Sequence, residues 1–180
     1  MCRKHFTRIE TNRCYINFTT KDDESDIRIL YDDMKVWEYL GGARNQEQIN
    51  QGINARISPD SDFTCWTVRR KETNEFLGNM SLSLHHDGVY TEVSYEFLSS
   101  VWGLGYAFEA VSELIQYAFS VLGLRELVAE TQSANKASCN LLQKLGFYEK
   151  QRLIRFGAEQ IIWAIEQHGG NAITIDEDTP

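Results

Sequence analysis

Apolar residues recur with two different periods along the chain. An alternation of apolar and polar residues is typical of half-buried strands, and a repeat of three to four residues is typical of helices that cover a core. We predict two short extended segments around a turn at Thr11 and Asn12. Strands are predicted over residues 63–69, 76–84, 89–98, 125–131, 147–155 and 160–166, and helices over residues 20–33, 45–57, 105–122 and 135–145.

The helix predicted from Gly105 to Leu122 carries a wide apolar stripe, which suits a helix packed against a sheet. Between residues 63 and 98 the strands are separated by only a few residues, and such short connections predict an antiparallel meander. We therefore expect a single mixed α/β (α+β) domain over residues 1–167, followed by an acidic, disordered tail over residues 168–180.

The charge, the apolar stretches and the cysteines of the sequence restrict the partners, the location and the metal sites that we expect. The formal net charge of −8 argues against nucleic acid or an anionic membrane as the main partner. No apolar stretch is long enough to span a membrane, and residues 1–13 lack the apolar core of a signal peptide. The cysteines are Cys2, Cys14, Cys65 and Cys139. Their spacing is not that of metal ligands, so we expect no metal site. We expect a cytoplasmic protein in which these thiols are reduced.

The strand over residues 89–98 runs through a turn containing Gly103 and Gly105 directly into the long helix. Glycine allows the backbone to approach a ligand closely and to adopt left-handed dihedral angles. The unpaired N–H groups at the start of a helix then face an anion such as a phosphate. The order of strand, glycine turn and helix therefore predicts a phosphate-binding loop, although a plain turn would also explain two glycines.

A second segment strengthens that prediction. Residues 135–147 form a short helical pattern that ends at Gly146. Together, the segment Trp102–Ala107 and the residues Asn135, Ser138, Leu141, Lys144, Gly146 and Phe147 resemble the two acetyl-CoA motifs of the GNAT N-acetyltransferases. The closest resemblance is to the Rim-type branch, which acetylates N-terminal amines of ribosomal proteins. The segment Ile9–Arg13 also resembles the opening hairpin of that branch.

The resemblance implies a GNAT-like, mostly antiparallel sheet of about seven strands flanked by about four helices, with acetyl-CoA as co-substrate. It places the pyrophosphate on Trp102, Gly103, Leu104, Gly105, Tyr106 and Ala107. It pairs the amide-bearing arm of CoA with Phe97, Leu98 and Ser99, and adds contacts from Asn135 and Ser138. Trp102 stands where the family often has Gln or Arg, so backbone N–H groups would bind most of the phosphate.

The implied reaction is direct attack of a neutral amine on the thioester, which needs a base for the amine proton. Glu130 is our first candidate base and Glu92 the second, and Glu96 shares the strand face of Glu92. Ser138 could support the departing thiolate, because Leu142 stands where many GNAT enzymes have a tyrosine. A backbone N–H near Leu98 or Ser99 is the expected oxyanion donor.

Other reactive side chains have simpler interpretations. Cys139 adjoins Ser138, but the sequence shows no partner base, so we expect a buried apolar residue rather than a nucleophile. His85 and His86 are expected to be exposed turn residues. Trp37 and Tyr39 lie in an irregular connector and are candidates for the wall of the acceptor pocket, with a core role as the alternative.

The sequence thus predicts an acetyl-CoA-dependent N-acetyltransferase whose acceptor is a primary amine, either a protein N-terminus or a small molecule. An antibiotic- or metabolite-detoxifying enzyme is the alternative within that class, and it predicts a confined pocket where a protein acceptor needs an open groove. A non-catalytic acyl-CoA-binding protein is the alternative outside it. A homodimer is left open.

Overall fold

The computed structural model describes residues 8–58 and 64–167. Its strands are β1 Ile9–Glu10, β2 Cys14–Phe18, β3 Thr64–Arg70, β4 Phe76–Leu84, β5 Thr91–Phe97, β6 Glu126–Gln132, β7 Tyr148–Arg155 and β8 Ala158–Glu166. Its α-helices are α1 Glu24–Asp32, α2 Met34–Trp37, α3 Gln46–Ile57, α4 Tyr106–Ser120 and α5 Lys136–Lys144. Single 3-10 turns precede α1 at Lys21–Asp23 and follow β5 at Ser99–Val101.

The strands of the described residues form one sheet in the order β1-β2-β3-β4-β5-β6-β8-β7. Neighbouring strands are antiparallel except β5 and β6, which run parallel. This mixed α/β architecture confirms the predicted fold class. The described residues contain eight strands and five helices where about seven and four were expected. The additional helix is α2, which occupies part of the stretch expected to be an irregular connector.

One face of the sheet carries the main core. Helix α4 packs its apolar stripe against it, and α5 adds Cys139 and Leu142 to the same cluster. Alternate residues of the central strands point into this cluster, including Val93 and Phe97 of β5 and Leu127 and Ala129 of β6. The buried stripe of α4 consists of Tyr106, Ala110, Val111, Leu114, Ile115, Ala118 and Phe119. We call this side of the sheet the α4 face.

The opposite side of the sheet, which we call the α3 face, is covered in part by α1, α2 and α3. These helices build a second cluster around Ile27, Leu30, Trp37 and Ile53. The predicted capping of α3 is present, because the side chain of Asn45 accepts a hydrogen bond from the Gln48 amide. A third cluster on this face consists of Val128, Ile162 and Ala164.

Element boundaries differ from the predictions by a few residues. Strand β5 begins at Thr91 rather than at Val89, because Val89 belongs to the preceding turn and its amide donates to Asp87 Oδ1. The helix stop predicted at Ser58–Asp60, the first residue of the strand predicted from Phe63 and the tail predicted over residues 168–180 lie at least partly outside the described residues. No helix in the described ranges is both long and apolar enough to cross a membrane.

Candidate active site

The sheet opens between β5 and β6. These strands pair at one position only, Glu92 with Val128, whereas β4 and β5 pair over seven residues and so do β6 and β8. The amide of Leu98 donates to Leu77 in β4, and ladder bonds alternate along a strand. The amides of Tyr95 and Phe97 therefore point away from β4, into the opening. We call this opening the β5–β6 gap.

The gap leads to the glycine loop. Gly103 and Gly105 have φ angles of +75° and +82°, which L side chains rarely adopt. Gly105 is the N-cap of α4, and no side chain caps this helix end in the structure. The first amides of a helix have no partner within the helix, so those of α4 are available to an anion. A Cβ atom at Gly103 would meet no atom within 4 Å, so the loop is open above it.

Large apolar side chains flank the loop. The residue Trp102 is 47% exposed, yet its indole Nε1 donates to the carbonyl of Phe97 at 2.8 Å. Leu104 is exposed, whereas Tyr106 is buried in the main core. The carbonyl of Phe97, which faces the gap, is therefore hydrogen-bonded to the Trp102 indole. This bond holds the start of the loop against the end of β5.

A cation that sequence reasoning missed lies beside this loop. Arg13, from the turn between β1 and β2, donates through Nη1 to the carbonyl of Leu104 at 3.0 Å and through Nε to Glu109 Oε2 at 2.7 Å. Its guanidinium lies 4.4 Å from the centre of the Tyr106 ring. A Cβ atom built on Gly105 would lie 3.2 Å from Arg13 Nη2. A positive charge therefore adjoins the glycine loop although Trp102 supplies none.

Glu109, in the first turn of α4, holds this cation in place. Its carboxylate also accepts hydrogen bonds from the amide of Arg13 and from the hydroxyl of Thr11. Burial alone would raise the pKa of Glu109, but the hydrogen bonds from Thr11 and Arg13 outweigh it and lower the pKa. The first hairpin and the start of α4 are thereby joined around one carboxylate.

The expected oxyanion donors are already engaged. The amide of Leu98 is bonded to Leu77, and the amide of Ser99 donates to Asp33 Oδ2 at 2.7 Å. These two amides are therefore not free in this structure, whereas the amide of Phe97, next to Leu98, faces the gap. A backbone oxyanion donor near Leu98 stays a prediction.

Two hydroxyl groups meet on the α4 face of the gap. The Tyr95 hydroxyl lies 2.8 Å from Ser138 Oγ, in the first turn of α5. Burial raises the pKa of Tyr95 to about 12, so it keeps its proton at neutral pH. Asn135 caps α5 by accepting a hydrogen bond from the Ser138 amide. Leu142 is buried in the main core, so the position that often holds a tyrosine does not face the gap here.

Cys139 follows Ser138 but is not an activated nucleophile. It is buried, and its Sγ lies 3.9 Å from the carbonyl of Gln132. Burial raises the pKa of its thiol, which keeps the sulfur protonated and unreactive at neutral pH.

The two candidate bases lie together on the α3 face. Burial raises the pKa of Glu92, although the charge of His85 and a hydrogen bond from the Glu130 backbone oppose the rise. Glu130 Oε2 accepts from Arg155 Nη1 at 2.6 Å and lies 2.9 Å from His85 Nε2. His85 and Arg155 therefore both contact the same carboxylate oxygen of Glu130. Glu92 lies at the one position where β5 still pairs with β6, so its side chain is next to the gap.

His85 was predicted to be an exposed turn residue, and that prediction is wrong. It is 2% exposed, with Nδ1 2.9 Å from Asp87 Oδ2 and Nε2 directed at Glu130. Burial alone would lower the pKa of His85, but its hydrogen bonds to Glu130 and Asp87 outweigh that effect and raise it. No local pattern around His85 indicates this contact, because Glu130 is distant along the chain. His86 is exposed as predicted.

A pocket of about 530 Å³ lies on the α3 face against the end of β5 that borders the gap. Trp37, one of the two predicted wall residues, lines it together with Tyr31, Arg56 and Glu96. Tyr39 is not among the described residues that line it. The Tyr39 carbonyl instead accepts from Gln132 Nε2 at 3.0 Å, which ties the connector after α2 to the end of β6.

Glu96 differs from the other two glutamates because it belongs to this pocket. Its Oε1 lies 2.8 Å from Arg56 Nη2, and both side chains are largely buried. Within residues 8–58 and 64–167, no cluster of three or more His, Cys, Asp or Glu side chains is arranged to hold a metal ion.

Comparison with known proteins agrees with this geometry. The family model described as acetyltransferase (GNAT) domain matches residues 13–148. The chain is 30% identical over 156 residues to the protein named Uncharacterized N-acetyltransferase YoaA of Bacillus subtilis (strain 168), a match that covers 83% of this chain and 87% of that protein.

Solved structures share the fold. An acetyltransferase from Agrobacterium tumefaciens str. C58 superposes with a TM-score of 0.78 at 18% identity, covering 91% of this chain and 96% of that one. Spermidine N-acetyltransferase from Vibrio cholerae, in complex with CoA and spermine, superposes with a TM-score of 0.73 at 15% identity, covering 86% and 95%. The family match and the relative with 30% identity together show that the chain belongs to the GNAT acetyltransferase family and is an acyltransferase of the N-acetyltransferase class.

Proposed function

We propose that this protein transfers an acetyl group from acetyl-CoA directly to a primary amine within a ternary complex. The observation that carries the proposal is the β5–β6 gap, which leads to the uncapped N-terminus of α4 through two left-handed glycines. A strand edge with free amides accepts the amide-bearing arm of CoA, and a bare helix start accepts its pyrophosphate.

The proposed cofactor contacts follow the geometry. The gap-facing amides of Tyr95 and Phe97 pair with the pantetheine arm, and the loop over residues 102–107 binds the pyrophosphate through its amides. Arg13 adds the positive charge that Trp102 lacks. Asn135 keeps the start of α5 in place beside the arm, in agreement with its capping hydrogen bond.

The two sides of the gap carry different chemical groups. Glu92 and Glu130 lie on the α3 face, and the hydroxyls of Tyr95 and Ser138 lie on the α4 face. We propose Glu92 as the base for the incoming ammonium, directly or through water, because its raised pKa brings it closer to the operating pH. Glu130 is the second candidate. Ser138, hydrogen-bonded to Tyr95, supports the departing thiolate.

The pocket on the α3 face is the proposed acceptor site. Its volume of about 530 Å³ is within the range of small-molecule sites and suits a small amine, whereas the Rim-type resemblance suggests a protein N-terminus. The V. cholerae relative by fold acts on spermidine, which is also a small amine.

Initial-rate kinetics with acetyl-CoA and a panel of small amines and short peptides test the proposal. Direct transfer predicts intersecting double-reciprocal lines, whereas a covalent acyl-enzyme gives parallel lines. Ser138→Ala should lower kcat, and Cys139→Ala should retain transfer because the thiol is buried. Tight acetyl-CoA binding without transfer to any amine would identify a non-catalytic acyl-CoA-binding protein and would contradict the proposal.

A further inference from the structure

The acceptor pocket has an unusual balance of charge for an amine-binding site. Its ionised side chains are Arg44, Arg56 and Glu96, which sum to +1. The chain as a whole has a formal net charge of −8, so the cationic character is local. The following inference rests on the proposed function, because it takes this pocket to be the acceptor site.

The two arginines are not equivalent. Arg56 is committed to protein partners, since Nη2 pairs with Glu96 at 2.8 Å and Nη1 donates to the Tyr31 hydroxyl at 2.6 Å. Arg44 donates through Nη2 to the carbonyl of Leu40 at 2.7 Å, and its guanidinium lies 5.5 Å from the Trp37 ring centre. Within the described residues Arg44 makes no ion pair with a carboxylate, so its charge is not neutralised at the pocket.

The remaining lining is uncharged. Gln48 and Gln51 contribute amides from α3, and the stacked rings of Tyr31 and Trp37, 4.6 Å apart, form an aromatic wall. A polycation would bring further positive charge towards the two guanidinium groups, and like charges at short range repel. A carboxylate instead matches the planar fork of an arginine and can accept two hydrogen bonds from it.

We propose that the acceptor is a small primary amine that also carries a carboxylate, with the carboxylate bound by Arg44 and the amine held towards Glu96 and the gap. In this proposal Arg44 determines the specificity for acceptors with a carboxylate. The Arg56–Glu96 ion pair forms another part of the pocket wall. The protein would discriminate against polyamines, in contrast to the spermidine acetyltransferase that shares its fold.

The test uses matched acceptors of increasing length. At each length an ω-amino carboxylate, an alkylamine and a diamine are compared by kcat/KM in the full-length protein with saturating acetyl-CoA. At the optimal length we expect the amino carboxylate to exceed the alkylamine by about tenfold, which is the effect of one charge-assisted hydrogen-bonded pair. The diamine should be the poorest of the three.

Substitution at Arg44 links the preference to one residue. Arg44→Gln should reduce the ratio of kcat/KM between amino carboxylate and alkylamine to about one, mainly through KM, and Arg44→Lys should retain part of it. The matched control is Arg28→Gln, which removes an exposed arginine of α1 that pairs with Glu24 outside the pocket lining. It should leave the ratio unchanged.

The outcomes separate this inference from the proposed function. Transfer to all three acceptor types with equal efficiency, or a preference for diamines, overturns the carboxylate assignment and leaves the acetyltransferase proposal standing. A preference that survives in Arg44→Gln also overturns it. Binding of acetyl-CoA by calorimetry without transfer to any acceptor overturns both.

Discussion

Strand β6 has two edges that behave differently. Towards β8 it pairs over seven consecutive residues, and towards β5 it pairs at Val128 alone. The closed edge carries apolar residues such as Ile161 that lie in the main core. The open edge is bordered by Glu92, Glu130 and the hydroxyl of Tyr95. The difference shows that the backbone groups of the closed edge are used within the sheet, whereas those of the open edge are left for another partner.

The closed edge should respond mainly through stability. Ile161→Ala removes a buried side chain next to Thr131, so the free energy of unfolding should fall by about 2–5 kcal/mol. The affinity of the folded protein for CoA should not change. Urea denaturation and calorimetry measure the two quantities, and a parallel loss of CoA affinity would mean that the two edges are not independent.

The open edge should respond mainly through ligand binding. Gly103→Glu places a carboxylate in the proposed phosphate site and should weaken CoA binding about hundredfold. Gly123→Glu is the matched control, because Gly123 also has a positive φ and open space around its Cβ position, at the other end of α4. Both variants should lose about 1–2 kcal/mol of stability through backbone strain. Equal CoA affinity in the two variants would remove the loop from the site.

The contribution of Glu109, which holds Arg13 beside the glycine loop, to the stability of the protein should depend on pH. The folded-state pKa of Glu109 is lowered, so its contribution to stability is present above its unfolded pKa of about 4.3 and is lost as pH falls through the lower folded value. Glu109→Gln should therefore cost about 1–2 kcal/mol at neutral pH, and this difference from wild type should shrink below about pH 4. Denaturant unfolding at both pH values measures it.

The control for that experiment is Glu113→Gln, which changes an exposed residue one turn further along α4. Its effect should stay within about 0.5 kcal/mol at either pH. A cost of Glu109→Gln that stays constant from neutral to acidic pH would show that packing, rather than the charge, joins the hairpin to the helix.

Local patterns in the sequence were sufficient for much of the fold and for the glycine loop. The period of α4, the glycines at 103 and 105 and the Asn135 cap each act within a few residues, so the sequence around them predicts them. The fold class follows from the order of these elements and is confirmed by the shared fold of known acetyltransferases.

Contacts between distant residues were not predictable in the same way. Arg13 reaches the glycine loop from a hairpin at the start of the chain, and His85 is buried because it meets Glu130. The pairing of Arg56 with Glu96 joins a helix to a strand. No periodicity records such contacts, because each depends on how the sheet and helices pack. The engagement of the Ser99 amide was not predictable for the same reason, since its partner Asp33 lies between α1 and α2.

Residue-specific hydrogen exchange, with and without CoA, tests the central claim most directly. The amide of Tyr95 faces the β5–β6 gap, whereas that of its neighbour Ser94 belongs to the ladder with β4. We predict that CoA slows exchange at Tyr95 at least about tenfold relative to Ser94, because the bound arm replaces the missing strand. Equal protection of the two amides in the free protein, or no gain at Tyr95 on adding saturating CoA, would contradict the account.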